Sequence, residues 1–349
     1  MRNRLALAPL TNCQSHEDGT LSDDELRWLV LRAEGGFGLT MTCAAHVQAV
    51  GKGFPGQLGI FDDRLLPGLT RLASAIRERG SLAFVQLHHA GRRSPAEIVG
   101  QPVAPSDDLE KGARGLSLAE VERLRDDFIA AALRAERAGF DGVEVHGAHG
   151  YVLTQFLSPK TNRRDDRYGG DLDGRARIVL EILEGIREQC GPSFILGIRL
   201  SPERFGIPLM ESRELTQRLL SEVGIDFVEI SMWDTFKEPE AEGLEGRSLL
   251  SFFTDLERGE TRLGAAGNLY SAADVRRALG SGLDFVSLGR AAIVHHDFPE
   301  RMRLDPDFER AALPVTVEDL KREGLGDAFV QYMRRWEGFV ADPDPTAPS

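Results

Sequence analysis

His146, His149 and Tyr151 stand close together in the stretch VEVHGAHGYVLTQFLSP, residues 143–159. Two imidazoles three residues apart can face the same way on a helical turn. So placed, both can donate an N–H to one carbonyl oxygen and polarise it as an oxyanion hole does. A tyrosine phenol keeps its proton at neutral pH and can release it to a carbanion developing beside that oxygen. Two other readings suit the same residue types: a buried hydrogen-bond network, and a metal site. The metal reading needs a third ligand. Glu144 points to the opposite side of its strand from Val145 and is as well suited to pairing with an arginine.

Other groups carry chemistry of a different kind. Gln86 offers a donor and an acceptor on one amide, which matches the alternating edge of a pyrimidine-like ring. Arg199 can hold negative charge on such a ring. The segments GAAGNLYS and LGR place Gly267, Asn268, Gly289 and Arg290 in two glycine-containing turns. Glycine lets backbone N–H groups approach an anion, and an arginine adds a fork of donors, so these turns suit a phosphate. Each residue also has a plainer reading: an arginine at a strand end commonly pairs with a carboxylate, and glycine turns commonly only connect elements. Together they suggest a flat, phosphate-bearing cofactor.

These groups fall at the ends of regularly spaced elements. Short apolar runs at 4–9, 38–43, 82–87, 142–146, 194–200, 227–231, 262–267 and 285–289 read as strands. Between them lie stretches with apolar residues at three- and four-residue spacing, such as 118–139 and 175–189, which read as helices. Several close on glycine just before the next strand. Eight strands of continuous apolar character alternating with helices predict an α/β fold, a single (β/α)8 TIM barrel over 1–340, with 341–349 as a flexible tail. An open doubly wound sheet competes, but no GxGxxG follows an early strand. In such a barrel the active site forms at the C-terminal ends of the strands, which here carry the residues named above together with His88, His89, Ser231 and Trp233.

Composition narrows the classes. The net charge of −13 disfavours nucleic acid and anionic lipid as partners, and no apolar run is long enough to span a membrane. Cys13, Cys43 and Cys190 form no clustered set, which argues against a disulfide framework, a zinc finger or an iron–sulfur cluster. The expectation is a cytoplasmic enzyme acting on a small molecule, with a homo-oligomer possible.

The strings RNRLALAPLT, VQLHHAGR, VEVHGAHGY, FLSPKTNRRDDRYGG, LGIRLSP and VSLGRA together resemble the old yellow enzyme family, the FMN-dependent ene-reductases. The resemblance spans roughly residues 2 to 340 and implies the barrel read above. It implies that Ala8, Pro9, Leu10 and Thr11 line the FMN ring, with the Thr11 hydroxyl near the flavin O4. Ala44 would pack near the ring and Gln86 pair with its pyrimidine edge. Arg199 would sit near N1 and O2, and Gly267, Asn268, Gly289 and Arg290 would cradle the phosphate. His146 and His149 would bind the substrate carbonyl and Tyr151 protonate the α-carbon, with no metal. The implied reaction is ping-pong: NADPH or NADH leaves a hydride on flavin N5, and an α,β-unsaturated carbonyl compound or related acceptor takes it at the β-carbon.

The chain departs from the family in places. Family members carry a lead-in segment before the RNR string that closes the barrel floor, whereas here that string follows Met1 directly. Thr11 stands where one branch has cysteine. Cys13 stands where that branch has a substrate-facing aromatic, which implies a roomier pocket with Trp233 filling part of it. The segment 331–339, QYMRRWEGF, reads as an exposed amphipathic helix, although a similar segment in some members sends an arginine into a neighbouring active site. Two further functions remain open: a metal-dependent lyase or hydrolase using His146 and His149, and a flavin-binding sensor without turnover.

Overall fold

A computed structural model describes residues 1–341; all but the first residue of the expected tail lies outside the described residues. Eight parallel strands close into a barrel: β1 (Leu5–Leu7), β2 (Leu39–His46), β3 (Leu82–His88), β4 (Gly142–Gly147), β5 (Ile195–Leu200), β6 (Phe227–Ser231), β7 (Arg262–Ala266) and β8 (Phe285–Leu288). A helix follows each: α1 (Asp23–Glu34), α2 (Leu66–Arg77), α3 (Leu118–Arg137), α4 (Leu172–Gln189), α5 (Leu209–Ser221), α6 (Ser251–Thr254), α7 (Ala272–Gly280) and α8 (Arg290–Val294). All eight expected strands are present. The second runs three residues further than its apolar pattern, through a bulge between Met41 and Ala44 that sets Ala44 opposite Gln86. No helix among the described residues is long and apolar enough to cross a membrane.

The alternation of side chains explains the closed sheet. Outward residues such as Val85, Val143, Val145, Ile198 and Val228 are buried beneath the helices. Inward ones form a separate apolar cluster at the barrel floor: Ala6, Leu39, Met41, Phe84, Phe227 and Phe285. Three of these rings lie over glycines of the preceding or following strand. A Cβ on Gly197 would stand 2.2 Å from the Phe227 ring, one on Gly264 2.2 Å from the Phe285 ring, and one on Gly142 2.7 Å from Phe84 Cζ. Large side chains facing strand glycines pack the lower part of the barrel. These residues line a cavity of about 290 Å³ that opens at the floor and reaches upward as far as Glu229 and Ser287.

Helix ends place the connections. Ser117 caps α3 in a reciprocal pair with Glu120, and Ser271 caps α7 in the same way with Asp274. At the other ends, Gly139 and Gly282 adopt φ of 87° and 102° before β4 and β8, as their placement before the strands implied.

Candidate active site

His146 stands one residue before the end of β4, and the chain then turns sharply: His149 and Gly150 both have positive φ, 62° and 73°. The two histidines are therefore not on a helical turn, as their spacing suggested, but at a strand end and in a left-handed turn. That turn brings Tyr151 back over the rings, where it caps the short helix Val152–Leu157. The His149 N–H donates to Ser201 Oγ at 2.9 Å and fixes the reversal.

The imidazoles form a continuous run. His88 Nδ1 lies 3.0 Å from His146 Nδ1, His146 Nε2 lies 2.9 Å from His149 Nδ1, and His149 Nε2 lies 2.7 Å from Ser231 Oγ. Burial pushes His149 down to about 3, with Arg199 and Arg93 nearby adding to the effect, and it pushes His146 and His88 well below the ordinary histidine range. All three rings are neutral at pH 7, so each donates once and accepts once. The far end of the run, His88 Nε2, is buried without a partner. Leaving that atom as a bare acceptor is the less costly arrangement. It sets the direction of donation from His88 to His146, from His146 to His149, and from His149 to Ser231. Both His146 and His149 then carry their proton on Nε2.

Tyr151 packs edge-on against His88 and His146, with ring centroids 4.4 and 5.1 Å away. The Arg93 guanidinium lies 4.6 Å from the Tyr151 ring centroid and donates to the His149 carbonyl. Among the described residues, no group of three or more His, Cys, Asp or Glu is arranged to hold a metal ion.

Beside the histidines a cavity of about 230 Å³ is lined by Ala8, Pro9, Leu10, His149, Arg199, Trp233, Gly267, Asn268, Gly289 and Arg290, among others. The structure thus gathers most residues assigned to the flavin into one space. A Cβ at Gly267 would stand 2.1 Å from the Met232 carbonyl oxygen, so only glycine lets the chain turn there. Gly289 precedes α8 with no side chain capping its first N–H groups, and Arg290 and Tyr270 both donate to Asn268 Oδ1. Free amides with an arginine and an asparagine at the ends of β7 and β8 fit a phosphate, and the apolar wall of Ala8, Pro9 and Leu10 fits a flat ring. These residues fit FMN.

Beneath that cavity lies a buried polar layer. Gln86 Nε2 donates to Glu144 Oε1 at 2.7 Å, Arg199 Nε is 2.8 Å from Glu229 Oε1, and Ser287 donates to Glu229 Oε2. Glu144 lies on the opposite face of its strand from Val145, as expected, but its hydrogen-bond partner is the Gln86 amide rather than an arginine. The carboxylate that Arg199 meets is Glu229.

Other residues take places the sequence did not disclose. Trp336 lines the flavin-side cavity, and the Tyr332 phenol lies beside the Thr11 hydroxyl. Within 331–339 only the first three residues are helical, as the end of Asp327–Met333; Met333 and Phe339 are buried, Arg335 to Gly338 are exposed, and Trp336 reaches the chain's own barrel mouth. Cys13 is half-buried at a φ of 56°, and burial raises its thiol to about 11, so it stays protonated. Trp233 is 59% exposed at the mouth, free to contact an incoming molecule. The tandem histidines of HHAGR were the one available signal for His88. Nothing in the sequence marked Arg93 as a neighbour of Tyr151.

A model of the NADH:flavin oxidoreductase / NADH oxidase family matches residues 1–305. Among solved structures, the old yellow enzyme homologue from Zymomonas mobilis superposes with a TM-score of 0.77 at 29% identity, over 93% of this chain and 95% of that one. The chain belongs to the old yellow enzyme family. A probable NADH-dependent flavin oxidoreductase of Bacillus subtilis (strain 168) is 37% identical over 315 residues, 87% of this chain and 84% of that protein. The NADH:fumarate oxidoreductase of Klebsiella pneumoniae (strain 342) is 33% identical over 93% of this chain, which spans only 36% of its length. As an old yellow enzyme relative, this chain is an NADH- or NADPH-dependent flavin oxidoreductase, with FMN as cofactor.

Proposed function

We propose that this enzyme reduces the activated C=C bond of α,β-unsaturated carbonyl compounds, with His146 and His149 binding the carbonyl oxygen and Tyr151 protonating the α-carbon. The observation that carries this reading is the neutral imidazole run ending beside the flavin-side cavity, with a phenol packed on it. FMN, when bound, supplies the two-electron redox chemistry between NAD(P)H and the acceptor.

The chain's own residues do the rest. A neutral imidazole donates a hydrogen bond without giving up its proton, so His146 and His149 polarise the oxygen and do not protonate the product. A carbonyl oxygen entering the mouth takes the place of His149 Nδ1 or Ser231 Oγ as acceptor for an Nε2–H. Polarising that oxygen draws electrons away from the β-carbon and opens it to attack. The proton for the α-carbon then comes from Tyr151, the acid nearest the rings. Arg93, over the Tyr151 ring, stabilises the phenolate left behind. Trp233, exposed at the mouth, shapes which acceptor fits.

The test is turnover of 2-cyclohexenone with NADPH or NADH in the absence of oxygen. The expected result is one cyclohexanone formed per nicotinamide oxidised, identified by mass. Nicotinamide oxidation by oxygen or a dye, with no cyclohexanone, would leave a flavin oxidoreductase with another acceptor and would end this reading.

A further inference from the structure

We propose that Glu144 is a positioning and proton-storing residue for the flavin, orienting the Gln86 amide and taking up a proton when the FMN above it is reduced. The inference rests on the reading that Gln86 meets the flavin's pyrimidine edge. Three observations carry it. Gln86 and Glu144 are partners in register across β3 and β4, and both side chains are buried. The Gln86 Nε2 donates to Glu144 Oε1 at 2.7 Å, so the amide is held with its oxygen free to accept from a ring N–H. The other carboxylate oxygen, Glu144 Oε2, is fully buried and has no partner.

A carboxyl group with an unpaired buried oxygen is better accommodated protonated than ionised. The charged groups facing it are Glu229 on β6 and Arg199 on β5; on its own strand His146, two residues on, is neutral. Burial and the Glu229 carboxylate push Glu144 up to about 8, against the pull of Arg199 and Gln86. Arg199 is shared: it contacts Glu229 at 2.8 Å, so its charge is already partly answered before any ring lies above it. The layer thus holds two carboxyl groups for one guanidinium. Adding negative charge to the ring above makes a third claim on Arg199, and the layer restores balance by binding a proton at Glu144.

The balance is explicit. NAD(P)H delivers two electrons and one proton to the flavin as its C–H bond breaks. A second proton, from solvent, forms an O–H bond on the Glu144 carboxylate where that group was ionised. On reoxidation the O–H bond breaks and the proton returns to solvent. The floor cavity reaches this layer at Glu229 and Ser287, which gives the proton an entry from the end away from the substrate.

The sign of the pH dependence follows. Below about pH 7 Glu144 is protonated in both redox states, and reduction takes up one proton per two electrons. Above about pH 8, and up to the higher value the group takes with reduced FMN, it is ionised only in the oxidised state, and reduction takes up two. The experiment is the flavin midpoint potential of the holoenzyme from pH 6.5 to 9.5, for the wild type and Glu144→Gln. The amide keeps an acceptor for Gln86 Nε2 but cannot titrate, so its slope should stay at one proton while the wild-type slope rises to two. A wild-type slope that stays at one overturns the proposal whether or not the variant folds, and so does a rise that persists in Glu144→Gln. FMN affinity of Gln86→Ala separates the premise from the inference. A drop of tenfold or more in that variant places Gln86 at the ring, whereas unchanged affinity shows that the Gln86 reading itself has failed.

Discussion

Tyr151→Phe should slow enone reduction by about 10²–10⁴-fold, the usual contribution of a positioned general acid. Bleaching of the flavin by NADPH should proceed at the wild-type rate. The substitution removes one oxygen and keeps the ring that packs on His88 and His146, so the imidazole run stays in place. The separation of the two half-reactions is what identifies the role, because the proposed role has the phenol act only on the acceptor. Stopped-flow absorbance with each substrate alone measures it. A variant that loses both half-reactions equally would show Tyr151 holding the site together rather than delivering a proton. A variant that loses neither would move the proton source elsewhere.

The second large effect is on stability in acid. Five buried histidines are held neutral: His46 is pushed down to about 4, His89 and His149 to about 3, and His88 and His146 well below the ordinary range, in each case chiefly by burial. When the chain unfolds, each takes up a proton below its ordinary value of about 6.5. The stability these neutral rings contribute is therefore complete above that pH and is lost as the pH falls through the window below it. Each costs about 1.4 kcal/mol per pH unit there, so five groups at pH 5.5 amount to roughly 7 kcal/mol. Glu25 and Glu144 oppose this, since burial raises both carboxyls and acid relieves them. The net loss should still be a few kcal/mol, against a typical total of roughly 5–15 kcal/mol. Urea unfolding at fixed excess FMN should show a midpoint lower by about 1 M at pH 5.5 than at pH 7.5. An unchanged midpoint would mean the rings are charged, or open to water, in the native state.

Much of the architecture was legible because it depends on local pattern. An all-parallel barrel buries both faces of its strands, so the apolar runs were continuous and easily counted, and seven of the eight strand ends fell within two residues of their expected places. The eighth, β2, overran its pattern because the bulge carries Ala44 to His46 onward as paired strand with polar or small residues. Convergence of the flavin-side residues followed from the barrel rule, and the cavity contains most of them. What the sequence could not give were partners set by barrel stagger. The contacts His88–His146 and Gln86–Glu144 each join residues 58 apart, and His149–Ser231 joins residues 82 apart. Nor does spacing reveal that His149 takes a left-handed conformation, which is what turns an apparent helical pair into a chain of rings. The return of Trp336 over the mouth is a tertiary event with only a weak amphipathic signal behind it.

The central claim, an FMN site with neighbouring enone chemistry, is tested most directly by one anaerobic absorption experiment. The purified holoenzyme is titrated with NADPH until the flavin band is bleached, and 2-cyclohexenone is then added. The account predicts bleaching by one equivalent and full return of the oxidised spectrum with the enone. A flavin that bleaches and stays bleached when the enone is added would contradict it.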